Sequence, residues 1–441
     1  MSGPKLTQSL AMQERARKVI PGMTQLLSKR PDQFSQGVWP GYFERASGAE
    51  VWDLDGNRYL DMSIAGMGAN VLGYADPDVD DAVRDAIARG SSSSLNCPEE
   101  VVLAERLIGL HPWADMARFT RSGGEAVALA VRIARASTKR ERVAFCGYHG
   151  WHDWYLAANL GDRDALDGQL LPGLDPAGVP VSLRGTALPF RYNASDELKR
   201  IVHEHGPSLA AVVMEPIRDT QPERGFLEEC RKLTHECGAV LVFDEVSAGF
   251  RMNTGGAHLY LGVEPDIAVF SKALGNGYPI AAIIGRGGIM RAAQDSFISS
   301  TNWTERTGPA AALATIAKHE RLNVGRRLVE LGGKVQAGWR AVAARHAIPI
   351  HVAGIPPLGK FTFEDAQAPL MKALFVQEML DRGYLASTLY YAMYAHTEKH
   401  VEGYMSAADQ AFSVIAAARA AGDLRGALRG LPAASGFQRL T

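Results

Sequence analysis

Short apolar runs alternate with helix-patterned stretches through the middle of the chain. The runs are RVAFCGYHG from Arg142, LAAVVMEPI from Leu209, AVLVFDEV from Ala239, DIAVFSKAL from Asp266 and AAIIG from Ala281. Each has the length and apolar richness of a buried strand. Between them, SDELKRIVHEH from Ser195 and GFLEECRKLTHECG from Gly225 carry a helical period, the second closed by Gly238. This alternation predicts an α/β domain with a mostly parallel central sheet covered on both faces. Upstream, GAEVWDLDGNRYLDM alternates about the turn Asp55-Gly56-Asn57 and predicts a hairpin. Downstream, MKALFVQEMLDRG and YMSAADQAFSVIAAARAAG predict helices of a smaller α/β unit. The predicted organisation is a large domain over 66–325, a small domain over 326–441, and an N-terminal segment over 1–65 that joins the small domain.

Composition narrows the class. A chain of 441 residues is long for one core. Its 46% hydrophobic and 22% charged content is that of an ordinary globular protein. With 47 basic against 48 acidic residues, charge offers no attraction for nucleic acid or an anionic membrane. Cys97, Cys146, Cys230 and Cys237 form no CxxC pair, which fits a reducing cytoplasm. The first residues have no apolar signal core, and no stretch reaches the roughly 20 apolar residues of a membrane span. A cytoplasmic enzyme is expected.

Ligands on parallel sheets sit beyond the carboxyl ends of the strands. Those ends carry, in order, Tyr148-His149-Gly150, Glu215-Pro216, Asp244-Glu245 and Lys272, the last just before the turn Gly275-Asn276-Gly277. A lysine in so apolar a context either snorkels to solvent or is kept for its chemistry. Separately, Ser122, Gly123 and Gly124 precede a helix with apolar positions Ala126, Leu129, Ala130 and Ile133. A hydroxyl, free backbone N–H groups and the positive end of a helix dipole suit a phosphate. A pyridine aldehyde phosphate would use all of these groups. A neutral lysine condenses with the aldehyde as a Schiff base, a carboxylate holds the ring nitrogen protonated, and an aromatic side chain stacks on the ring. Asp244 is preferred as that carboxylate because Glu245 should point to the opposite face, as a solvated strand end. His149 and His152 form H-x-x-H, but a third ligand at suitable spacing is lacking, so no metal site is expected. Trp151, Trp154 and Tyr155 are read as core or interface, and Cys146 as packing. GMGANVLG from Gly66 lacks the spacing of a dinucleotide fingerprint.

VWDLDGNRYLD, GYADPDV, SGGEA, YHGWHDW, MEP, FDEVSAGFR, SKALGNGYPIAA and the T-x4-P of Thr304 to Pro309 follow one another in a single order. In this the chain resembles the class III, fold-type I pyridoxal phosphate (PLP) aminotransferases, most closely the glutamate-1-semialdehyde aminomutase branch, from about Ile20 to Tyr404. The resemblance implies the PLP-dependent transferase fold, with 66–325 as the PLP-binding domain. It makes Lys272 the Schiff-base lysine and Asp244 the partner of the pyridine nitrogen, these two being the catalytic pair. It puts Tyr148 and Val246 on the two ring faces and Ser122, Gly123 and Gly124 at the phosphate. Glu215 would lie near the cofactor's hydroxyl and His149 beside Tyr148. Thr304 would reach the phosphate of the neighbouring subunit, so the resemblance implies a homodimer with its active site at the interface and a cofactor cycling between PLP and pyridoxamine phosphate.

Departures fall on two sides. The family's N-S-G-T-E-A turn reads Arg121-Ser122-Gly123-Gly124-Glu125 here, losing a threonine hydroxyl. Where aminomutases hold a substrate carboxylate with arginine, this chain has IPGMTQLLSKR, with Lys29 and Arg30 near that place. Met67 replaces a tryptophan, and Trp303, Glu305 and Arg306 replace small residues. The expectation is an aminotransferase acting on a small-molecule amino donor and an aldehyde or ketone acceptor, such as an oxidised sugar or aminoglycoside. An aminomutase or epimerase on the same scaffold is the alternative. A non-enzymatic relative is disfavoured because Lys272 and Asp244 are both retained.

Overall fold

The apolar runs become strands. In the computed structural model, which describes residues 3–169 and 172–434, one sheet contains β1 (Met116–Thr120), β2 (Arg142–Cys146), β3 (Ala187–Pro189), β4 (Leu209–Met214), β5 (Val240–Asp244), β6 (Ile267–Phe270) and β7 (Ala281–Gly285). Their order is β1-β7-β6-β5-β4-β2-β3. Strands β2 to β6 pair in parallel, while β7 is antiparallel to both β1 and β6. The mostly parallel α/β sheet read from the sequence forms. The short segments MARFT and ALP, which make β1 and β3, were not among the predicted runs because they carry too little apolar pattern to stand out.

Side-chain alternation assigns the two faces. Val143, Phe145, Val213, Val242 and Val269 lie on one face with helix α1 (Gly123–Thr138). Ala144, Cys146, Val212, Met214, Leu241 and Phe243 lie on the other, with α2 (Ser195–His205) and α3 (Phe226–Glu236). Burial on both sides is why these strands read as continuous apolar runs. It also fixes parity at the end of β5. Asp244 follows Val240 and Val242 onto the α1 face, and Glu245 turns to the other.

The chain divides into two compact units: Pro77–Gly325, which contains this sheet, and the residues up to Asp76 together with those from Arg326. In the second unit, Glu50–Asp53 and Arg58–Asp61 form the antiparallel hairpin, with Asp53 Oδ1 accepting from the backbone N–H groups of Asp55 and Asn57. That sheet has four strands, and a separate one of three includes Leu358–Phe363. The helices Ala368–Asp381 and Glu398–Ala420 cover the two C-terminal segments predicted as helical.

Candidate active site

Beyond the end of β6 the backbone turns sharply. Lys272 has φ +46°, in the left-handed region that a side chain rarely enters, and Asn276 follows with φ +45°. A non-glycine residue held there costs about 1–3 kcal/mol, which surrounding structure must impose. Ser271 Oγ helps by donating to the carbonyl of Ile280 at 2.9 Å. The result aims the lysine amine at Ser247, whose Oγ lies 2.8 Å from Nζ. Part of the side chain meets solvent, yet the walls desolvate the amine and lower its pKa from 10.5 to about 8. The Arg218 cation adds to that lowering, and Glu215 opposes it.

At the end of β5, Asp244 is buried and doubly engaged. Oδ1 accepts from the Val246 N–H at 3.0 Å, and Oδ2 faces His149 Nδ1 at 2.8 Å. The other His149 nitrogen, Nε2, faces the Cys146 carbonyl at 3.0 Å and must donate to it. A proton therefore lies in the Nδ1–Oδ2 contact, whichever partner holds it. His149 is thus the hydrogen-bond partner of Asp244. After β4, Glu215 lies 3.4 Å from the backbone N–H of Tyr148 and 3.2 Å through each oxygen from Arg218 Nη1. Tyr148 is partly buried, and burial raises the pKa of its phenol.

The start of α1 is the third component. Gly123 is required there because a Cβ would come within 2.8 Å of Val246 Cγ1, so the helix end and Val246 are in direct contact. The N–H groups of Gly123 and Gly124 have no partner within the helix, whose first such bond is Ala126 N–H to the Ser122 carbonyl. His152 Nδ1, buried without a hydrogen-bond partner, stands beside Gly124. Thus Lys272, Glu215, Asp244, His149, Tyr148, Val246 and the Ser122–Gly124 turn all come from one end of one sheet. Thr304 is joined to none of them by a hydrogen bond. It is exposed, and its hydroxyl donates to the Thr301 carbonyl at 2.9 Å.

One expectation is corrected. Glu245 is not a solvated strand end but is buried, with 1% of its surface exposed. Its carboxylate accepts from the N–H groups of Ala257 and His258 and from His258 Nδ1, each at 2.9 Å. The opposite face of β5 carries a short helix at Ala257–Leu261, and Glu245 satisfies its first N–H groups. Sequence reasoning also missed Ser247, Arg218 and the roles of Arg121 and Glu125. Only Glu125 left a signal, because Ser122-x-x-Glu125 is a capping-box pattern. Arg30, placed near the aminomutase carboxylate site, is buried against Asp32, with Nε 3.0 Å from Oδ1.

A sheet of this topology, with lysine, aspartate and a helix N-terminus at the strand ends, defines a PLP-dependent fold-type I enzyme. The family profile described as Aminotransferase class-III matches residues 35–394, and the chain belongs to that family, whose members use PLP. A 3-aminobutyryl-CoA aminotransferase of Cloacimonas acidaminovorans (strain Evry) is 33% identical over 378 residues, covering 84% of this chain and 87% of the relative. A 2'-deamino-2'-hydroxyneamine transaminase of Streptomyces kanamyceticus is also 33% identical over 378 residues, covering 85% and 90%. Among solved structures, the FumI protein of Sphingopyxis sp. MTA144, in its PLP internal aldimine form, aligns with a TM-score of 0.85. That alignment has 28% identity and covers 97% of this chain and 99% of the other.

Proposed function

We propose that this aminotransferase takes an amino group from a small amino donor and passes it to a carbonyl acceptor of the oxidised sugar or aminoglycoside class, with Lys272 as its working amine. The observation that carries the reading is the low-pKa amine of Lys272, held by Ser247 at the same sheet end as Asp244. With a pKa near 8, about one amine in ten is neutral at pH 7, against about one in three thousand at the ordinary value. When bound, PLP supplies a conjugated ring that accepts the electron pair released at the substrate carbon.

The residues fit that cofactor. Lys272 Nζ would hold it, and its amine is placed to move a proton at the substrate carbon. Asp244 would stand beside the ring nitrogen, and His149 fixes the carboxylate's orientation. Tyr148 and Val246 would bound the ring faces, and Glu215 would lie on the hydroxyl side. The open N–H groups of Gly123 and Gly124, the Ser122 hydroxyl and the unpartnered His152 Nδ1 offer polar contacts for a phosphate. Loading with PLP, reducing with borohydride and mapping peptides is expected to tag Lys272; a tag on another lysine sinks the assignment.

The acceptor class is supported by the likeness to the neamine transaminase and by the polar stretch Trp303–Arg306. Protein loaded with pyridoxamine phosphate is offered oxidised aminoglycosides, simple aldehydes and 3-ketoacyl thioesters. Regeneration of the pyridoxal absorbance by the oxidised aminoglycosides is expected. A response only to the thioesters would replace this acceptor, and isomerisation of one substrate without any acceptor would point to a mutase or epimerase.

The enzyme is further proposed to work as a cytoplasmic homodimer, with Thr304 serving the neighbouring subunit's phosphate. Within Pro77–Gly325, the apolar side chains Leu95, Val101, Trp151 and Phe297 are each exposed, which leaves apolar area for a second copy to cover. Among the described residues, no helix is long and apolar enough to cross a membrane.

A further inference from the structure

Arg121, immediately before the Ser122–Gly124 turn, is mostly buried, with 16% of its side chain exposed. Its Nη2 donates to the carbonyl oxygens of Trp303, at 3.2 Å, and Glu305. Glu125, in the first turn of α1, reaches both partners of this contact. Oε2 accepts from the backbone N–H groups of Arg121 at 3.0 Å and Ser122 at 3.3 Å, and Oε1 accepts from the Trp303 indole N–H at 2.9 Å. Glu305 in turn accepts from the Thr307 N–H and hydroxyl, both at 2.8 Å, at the start of helix α4 (Thr307–Arg321). Gly308 leaves room for the guanidinium: a Cβ there would lie 3.2 Å from Arg121 Nη1 and 2.7 Å from the Pro279 carbonyl oxygen. The turn before α1 and the 303–305 segment are thereby fastened together through side chains.

Gly123 and Gly124 have no side chain to offer a phosphate, so most donors at this turn are backbone N–H groups. Such donors act only while the turn keeps its shape, and whatever holds that shape sets their strength. Arg121 Nη1 is buried without a hydrogen-bond partner, while Nη2 also faces the Glu305 carboxylate at 3.8 Å. We propose that Arg121, Glu125 and Trp303 are positioning residues for the cofactor's phosphate, holding the turn and the 303–305 segment in fixed relation without touching the ring. The inference rests on the reading of the α1 N-terminus as the phosphate seat.

The test separates phosphate from ring. Cofactor-free protein is titrated with PLP and with pyridoxal, which lacks the phosphate, by equilibrium dialysis. Arg121→Met is expected to weaken PLP about tenfold or more while changing pyridoxal by less than about twofold, the scale of losing one or two hydrogen bonds to charged groups. Trp303→Phe, which removes the indole donor together with part of the ring, is expected to weaken PLP about threefold to tenfold and keeps the test alive if the arginine variant fails to fold. The double variant should lose less than the product of the single losses, because both act on one segment. Arg121→Lys should restore part of the affinity. Equal weakening of PLP and pyridoxal, or no change in either, would overturn the inference. Wild-type protein that binds the two ligands equally would overturn the phosphate seat itself, a different failure seen before any variant is made.

Discussion

Lys272 combines two unfavourable features, a left-handed backbone and a desolvated amine. Their joint presence makes a thermodynamic prediction for the cofactor-free protein. The unfolded lysine titrates near 10.5 and the folded one near 8, so between those values the unfolded chain binds more protons. Stability of the wild type should therefore rise as pH climbs from 8 to 10.5, while below pH 8 the full penalty remains. Lys272→Met removes the penalty and should stabilise the cofactor-free protein at pH 7 by at most about 3 kcal/mol, less where solvent screens the amine. Urea titrations at pH 7 and pH 10 measure it. An advantage that does not shrink with pH would mean the amine is not desolvated in the fold. The position of this lysine was readable in the sequence, since an apolar run followed by Lys and a glycine turn stands out. Its φ and its Ser247 partner were not, because both depend on where the end of β5 sits.

At the scale of the strand, β5 delivers two acids to opposite faces, and neighbours decide what each does. Asp244 keeps company with His149 on the α1 face, whereas Glu245 closes the start of the helix at Ala257–Leu261. Alternation predicted the divergence, but it could not tell that the Glu245 side is covered, because that helix is only five residues long and leaves little periodic pattern. The two acids should fail differently. Asp244→Asn should fold and bind cofactor but lose turnover by about a hundredfold or more, the scale of losing one preorganised electrostatic contact. Glu245→Gln turns an amide N–H toward a donor and should destabilise the unit by about 2–3 kcal/mol. Denaturation midpoints and turnover measured on both variants test the division. An Asp244→Asn enzyme with near-normal turnover would show that the wrong acid was chosen.

For the whole molecule, the proposed dimer can be tested by complementation. One inactive variant carries Lys272→Ala and the other a bulky residue at Thr304 that blocks the phosphate. If Thr304 serves the neighbouring site, a mixed dimer collects both lesions in one site and leaves the other intact. Activity should then reappear on mixing, reaching about half of one wild-type dimer for each mixed dimer formed, since one of its two sites works. Confirmed subunit exchange without recovery would place Thr304 in its own chain's site or outside the site altogether.

The sequence alone determined the layer architecture, because strands buried on both faces must be apolar throughout and their helices must carry a 3.6-residue stripe. It also determined the order of polar groups at the strand ends, since chain order and parallel pairing put those ends on one edge. Tertiary structure decided which groups act on one another. His149 meets Asp244 from 95 positions away, Lys272 meets Ser247 from 25, and Arg121 meets the Trp303 carbonyl from 182. Such contacts depend on strand order, with β5 beside β6 and β4 beside β2, and no local pattern encodes that order. Periodicity reports what a segment buries, while the partners of a buried polar group are chosen by the packing of distant segments.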